Sequence, residues 1–319
     1  MKRRTFFLLT ACAAFTAHSQ EKVRVVGVLS LSAQPTLRDE VFHRRLQALG
    51  WREGRNVRFE YRRAANDVAK LPAMARELVT LKVDVIVAQS TPALKAAKDA
   101  SAAIPIVSIS ADPVGTGLVE SLARPGGNVT GVSMMMPALA GKRLEVLKEM
   151  HPKLARVAFL AHGGDPAHTR FVQEAEEAAQ SAGMRLVPIV VKGAGEFEAA
   201  FAAMRLAGVE ALIVQPLFVN TLGYGRQLAD LAIRSRLLTI GDADMFAEEG
   251  GLLMYGPDPA FTYERVATFV DRVLKGAKPA ELPIELPQRF LLLVNAGTAK
   301  KLGITVPRSL LMRADRVIE

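Results

Sequence analysis

A single cysteine, Cys12, occurs among 319 residues, and it lies close to the start of the chain. Aromatic residues are scarce at 6%, with one tryptophan and four tyrosines. Beyond the N-terminal stretch no apolar run approaches the ~20 residues that a spanning helix needs. Signature motifs are scarce too. There is no Gly-x-Ser-x-Gly elbow and no phosphate-binding lysine loop, and Gly115-Thr116-Gly117 lacks the third glycine of a dinucleotide fingerprint. His162, Asp165 and His168 do not have the spacing of a zinc site. Asp242 and Asp244 alone are too few ligands for a hard cation. These absences remove thiol, nucleotide and metal chemistry from the readings that the chain supports, and no cofactor is implied.

What is present begins with an export signal. Met1-Lys2-Arg3-Arg4-Thr5 is charged, Phe6–Phe15 is apolar, and Ala17-His18-Ser19 precedes Gln20. A basic start, a short apolar core and a small-x-small cleavage site make residues 1–19 a signal peptide. Arg3-Arg4 followed by Phe6-Phe7-Leu8 fits a twin-arginine signal as well as an ordinary secretory leader. Leu9-Thr10-Ala11-Cys12 resembles a lipoprotein box, but cleavage there leaves an apolar core of only Thr5–Ala11. Cleavage after Ser19 leaves no cysteine, hence no disulfide, even in an oxidising compartment.

The formal charge of +9 falls to about +6 once Lys2, Arg3 and Arg4 leave with the leader. The basic residues are scattered among acidic ones on helices, as in Arg143-Leu144-Glu145, with no basic run and no aromatic interleaving. Such a pattern reads as a solvated surface rather than a nucleic-acid footprint.

Short Val/Ile/Leu runs alternate with amphipathic stretches along the rest of the chain. Most of the runs Val23–Leu29, Val57–Tyr61, Val83–Ala88, Ile104–Ser108 and Val129–Met134 lack polar alternation, as parallel strands buried on both faces do. Thr36–Leu49 places Leu37, Val41, Phe42, Leu46 and Leu49 on one helical face and stops at Gly50. The pattern restarts with Gly141–Met150 and continues through strands at Val157–Ala161, Leu186–Val191, Ala211–Gln215 and Leu237–Ile240. Phe261–Gly276 is a further helix, and Phe290–Val294 a late strand. The fold class is therefore α/β, with two doubly wound parallel-sheet lobes.

In open sheets of this kind, ligands bind beyond the carboxyl ends of the strands. That rule selects Ser32, Ser90, Thr91, Ser110 and Asp112 from the first half, and His162, Gln215, Phe218, Asn220 and Asp242 from the second. Polar side chains of these types orient a small ligand, and Phe218 offers a ring for stacking. Ser90-Thr91-Pro92 is equally a helix cap, and Asp112-Pro113 likewise starts a helix.

Several segments together resemble the periplasmic substrate-binding proteins of ABC transporters, tryptophan/tyrosine-type, with the type I binding-protein fold. They include Leu49-Gly50-Trp51-Arg52-Glu53-Gly54-Arg55-Asn56-Val57 and Ser121-Leu122-Ala123-Arg124-Pro125-Gly126-Gly127-Asn128-Val129-Thr130-Gly131-Val132. Gly250–Gly256, Leu274–Pro279, Ala299–Ile304 and Arg313–Glu319 extend the likeness over the mature chain. The resemblance implies a three-crossover hinge, with lobe one at 22–134 plus 253–282 and lobe two at 135–252 plus 283–319. It also implies a monomeric, non-enzymatic periplasmic protein that captures a small polar or aromatic carboxylate or amino-acid-like ligand. Its partners would be that ligand and an inner-membrane ABC permease, with a periplasmic sensor or an exported α/β enzyme as the alternatives. His162 and Ala161-Gly163-Gly164 stand where relatives often carry Asn-Pro.

Overall fold

The computed structural model describes residues 22–134, 137–220 and 222–319. The leader and Cys12 lie outside the described residues. The first half runs β1 (Arg24–Ser30), α1 (Leu37–Ala48), β2 (Val57–Arg63), α2 (Leu71–Thr80) and β3 (Val85–Ala88). It continues with α3 (Thr91–Ala100), β4 (Ile106–Ser110) and β5 (Val129–Ser133). Its five strands are all parallel, in the order β2-β1-β3-β4-β5.

Alternation along these strands sorts side chains to two buried faces. Leu29, Ile86 and Ile106 meet Leu71, Leu78 and Leu94 of α2 and α3. Val26, Val28, Val85, Val87 and Val107 meet Phe42 and Leu46 of α1 on the other face. A sheet covered on both sides has no polar face, which is why β3 reads as an unbroken Val-Ile-Val-Ala. Helix starts are written in side-chain oxygens. Thr36 and Asp39 form a capping box at α1, and Ser90 accepts from the Ala93 amide at α3. Leu37, expected on the buried face of α1, is instead 77% exposed in its first turn.

The second half holds α4 (Ala140–Met150), β6 (Arg156–His162), α5 (His168–Ser181), β7 (Arg185–Val191), α6 (Phe197–Leu206) and β8 (Ala211–Val214). Then follow α7 (Pro216–Asn220), α8 (Gly225–Arg234), β9 (Leu238–Gly241), α9 (Asp244–Glu248) and β10 (Leu253–Pro257). Strands β7-β6-β8-β9-β10 repeat the spatial order of the first sheet. Helix α10 (Pro259–Leu274) returns to the first lobe, where Val266, Phe269 and Val270 complete the core over α1. The chain ends on the second sheet with β11 (Phe290–Asn295), α11 (Ala296–Leu302), α12 (Arg308–Arg313) and β12 (Arg316–Ile318). Strand β11 is antiparallel to β10, the one antiparallel pairing among the described strands.

Two lobe limits shift from those drawn on the sequence. The resemblance places residues 253–257 in lobe one, yet the β10 backbone pairs with β9 and β11 of the second sheet, so the second crossing follows Pro257. Residues 284–285 were assigned to lobe two, yet Ile284 donates to the Leu122 carbonyl and Glu285 exchanges backbone bonds with Gly131 and Ser133 beside β5. The third crossing therefore lies between Glu285 and Phe290. Hydrophobic runs mark strands but not the sheet they join, so the pattern left these borders open.

The turn before β5 needs its glycines, with φ of 71° at Gly126 and 59° at Gly127. Gly131 carries a stronger constraint. It lies opposite Ser108 in the β4–β5 ladder with φ at 132°, and a Cβ there would sit 2.2 Å from the Ser108 carbonyl oxygen. Gly131→Ala should cost more than about 2 kcal/mol, because backbone rather than a flexible side chain must give way. Gly183→Ala, at φ 68° with open space around it, should cost only about 1 kcal/mol. Urea melts of the two variants measure the difference; equal midpoints would refute the close-approach argument.

Candidate functional site

The carboxyl ends of both sheets open onto one cavity. From lobe one it is lined by Arg38, by Gln89, Ser90 and Thr91 after β3, by Ser110 and Ala111 at the end of β4, and by Met134 after β5. Lobe two supplies Asp165, Phe171, Pro216, Leu217 and Asp242, and the second crossing supplies Pro257, Pro259, Thr262 and Tyr263. Each half therefore contributes the loops that its strand order leaves free.

Ser90, Thr91, Ser110 and Asp242 all stand in this wall. Ser90 caps α3 through its Oγ, at 3.2 Å from the Ala93 amide. Thr91 Oγ1 accepts from the Ala111 amide at 3.1 Å and so ties two cavity-lining loops together. The Ser110 hydroxyl is buried with no hydrogen-bond partner. Asp242 is 3% exposed, and neither carboxylate oxygen has a hydrogen-bond partner in another residue. Burial pushes its pKa up to about 6, against the opposing pull of the Arg143 guanidinium.

The other residues expected at the site lie elsewhere. Ser32 donates to the Gln34 carbonyl within its own loop, at 2.7 Å. Asp112 accepts from the Gly115 amide at 2.8 Å, the capping use of that side chain. Gln215 is fully buried and acts as a brace. Its Oε1 accepts from the His162 amide at 2.6 Å and its Nε2 donates to Asp165 at 2.7 Å. His162 turns into the lobe, where its Nδ1 accepts from the Gly164 amide and burial holds its pKa down. Phe218, expected to stack on a ligand ring, is 0% exposed and packs against His162 and Phe197. Its ring faces core because the Gln215–Thr221 segment begins with helix α7 rather than an open loop. Asn220 ends that helix, and its side chain lies outside the described residues.

Three charged residues in or behind the cavity wall were not among the expected site residues. Asp165 is 4% exposed, is held by the Ala167 amide and Gln215, and is pushed by burial up to about 6. Arg38 reaches across the cleft to Asp244 at 3.1 Å. Arg143, read as solvated surface, is 1% exposed and lies 3.6 Å from Asp242. The signal was there: Arg143 shares the stripe of Ala140, Leu144, Leu147 and Met150 on α4. On the other flank Arg170 of α5 approaches Asp112 at 4.0 Å, a half-exposed pair that contributes little.

Chemically, the wall joins a free hydroxyl and a helix N-terminus on one lobe to a buried carboxylate on the other. Apolar surface from Ile109, Met134, Phe171, Leu217 and the prolines lies between them. Tyr263, whose phenol burial pushes up to about 12, adds an aromatic face.

A tyrosine-binding protein of Clostridioides difficile is 25% identical over 289 residues, 89% of this chain and 82% of that protein. An ABC domain from Streptococcus pneumonia, solved in complex with L-Trp, superposes with a TM-score of 0.85 at 27% identity, over 93% of this chain and 100% of that one. A conserved domain protein from Vibrio cholerae o1 biovar eltor gives 0.86 at 26% identity, with the same coverage. The family model for ABC transporter substrate-binding proteins matches residues 22–318, and the chain belongs to that family.

Proposed function

We propose that the protein is a non-enzymatic, periplasmic, monomeric receptor that captures an α-amino acid with an apolar or aromatic side chain. It then presents that ligand to an inner-membrane ABC permease. The observation that carries this reading is the Asp242 carboxylate, buried and without a hydrogen-bond partner in a cavity whose opposite wall holds the free Ser110 hydroxyl and the α3 N-terminus. A buried carboxylate with open acceptor sites suits an ammonium group. A helix N-terminus with hydroxyls beside it suits a carboxylate. The apolar and aromatic wall between them takes the side chain. Relatives that bind tyrosine or tryptophan support the same ligand class. Because the wall is divided between the lobes, ligand binds the closed form better than the open one, and that difference drives closure.

Thermal unfolding of the mature protein with L-tryptophan, tryptamine and indole-3-propionate tests the two-ended recognition. At 1 mM, a ligand with Kd near 1 μM stabilises the fold by about 4 kcal/mol. L-Tryptophan should raise Tm by several degrees, whereas tryptamine, lacking the carboxylate, and indole-3-propionate, lacking the ammonium, should not. An equal shift with indole-3-propionate would remove Asp242 from the recognition, and consumption of any of the three would make the protein an enzyme.

The pH dependence has two opposite signs. Asp165 and Asp242 have folded pKa values of about 6, above that of a free Asp side chain. Their contribution to stability is complete below the unfolded value and is lost as pH rises through about 6. Ammonium binding instead needs ionised Asp242. Unliganded Tm should therefore gain from these groups between pH 7.5 and 5, while affinity for L-tryptophan falls over the same range. Asp242→Asn should bind at least tenfold more weakly at pH 7.5 and lose the pH dependence of binding. A variant that keeps wild-type affinity refutes the assignment.

A further inference from the structure

Burying Asp242 raises a problem for the reading above, since a carboxylate removed from water takes up a proton and then offers no charge to an ammonium group. The groups that bear on it come from several elements. Arg143 approaches from α4, and Arg38 from α1. Asp244 lies at the start of α9, and Tyr255 of β10 acts on Arg143. Tyr263 and Asp165 share the cavity wall. Arg38 is engaged with Asp244 across the cleft, so those two charges largely offset each other at Asp242. Arg143 is then the principal counter-charge.

Its geometry is unusual for an ion pair. Arg143 Nη2 stands 3.6 Å from Asp242 Oδ2, close enough for strong attraction where both side chains are 1% exposed, yet the Asp242 carboxylate accepts no hydrogen bond from another residue. The guanidinium is directed elsewhere, with Nε donating to the Tyr255 carbonyl at 3.1 Å. Gly256 lets β10 pass close to the Asp242 backbone, because a Cβ there would lie 2.6 Å from the Asp242 carbonyl oxygen.

We propose that Arg143 is a positioning residue for ligand binding, a counter-charge that keeps the Asp242 carboxylate ionised while leaving both of its oxygens free to accept from the ligand's ammonium group. The proposal rests on the amino-acid reading of the cavity. Arginine suits this role because it stays protonated when buried and its planar fork is held by the carbonyl it serves. A closer, hydrogen-bonded arginine would compete with the ligand, and no arginine would leave the acid neutral.

Two measurements keep the proposal and the ligand reading separable. Carbon-13 NMR of the carboxyl groups in the unliganded protein, with Asp242→Asn to identify the signal, follows the Asp242 titration directly. Arg143→Gln keeps a donor for the Tyr255 carbonyl but removes the charge, and should raise the midpoint by at least one pH unit. Arg143→Lys should restore most of the wild-type midpoint. Calorimetric titration with L-tryptophan from pH 5.5 to 8.5 should show the same displacement, with affinity in Arg143→Gln at least tenfold lower at pH 7.5 and partly recovered at pH 8.5. An unchanged NMR midpoint, or a loss of affinity equal at every pH, overturns the proposal and leaves Arg143 as a packing residue. If Arg143→Gln does not fold, Arg143→Met is read in the same way, and Arg143→Lys with a midpoint raised as far as expected for the glutamine variant also overturns it. Failure of wild type to bind L-tryptophan, with the NMR shift present, sinks the ligand reading alone.

Discussion

Two parallel sheets whose carboxyl edges face one another must satisfy the polar ends of both edges in a single shared space. Strand order then decides where that space opens. In each half the first strand is flanked by the second and third, so the loops after strands three, four and five stay together on one side. The cavity is lined by those loops and Arg38 of α1 from lobe one, and by Phe171 of α5 with loops after β6, β8, β9 and β10. Everything else in the fold serves to hold these edges opposite each other.

Within that space, polar groups divide into satisfied and unsatisfied ones. Gln215, Asp165 and the His162 backbone amide form a closed set, and Thr91 spends its hydroxyl on Ala111. The Ser110 hydroxyl and the Asp242 carboxylate accept no hydrogen bond from another residue. Buried polar groups are ordinarily paired, so unpaired ones at a cleft are open to the groups of a ligand. This criterion separates the braces of the cavity from its open groups, which residue type alone cannot do.

The strands and most helices were legible because burial on both faces writes itself as unbroken Val/Ile/Leu runs, as at β3 and β8. The loop rule also led to Ser90, Thr91, Ser110 and Asp242. It failed at Phe218 and His162 for one reason: alternation along β6 and the turn into α7 point those rings inward, and a one-residue phase is invisible without register. Arg143 was hidden differently. A cation on a helix reads as solvent-facing unless its place on the apolar stripe is weighed against its charge. The lobe borders were unreadable because pairing partners, not composition, assign β10 and residues 284–285 to their sheets.

The return of α10 to the first lobe has a consequence for how the chain comes to be folded. Helix α1, near the start, is covered by a helix more than two hundred residues later, and the second sheet takes its last strands from the C-terminal residues. Neither lobe can close its core until nearly the whole polypeptide is available. Contacts of such long sequence separation slow folding, because loop closure is completed before burial rewards it. A nascent chain therefore stays incompletely collapsed for most of its synthesis, and the two lobes mature together rather than one after the other.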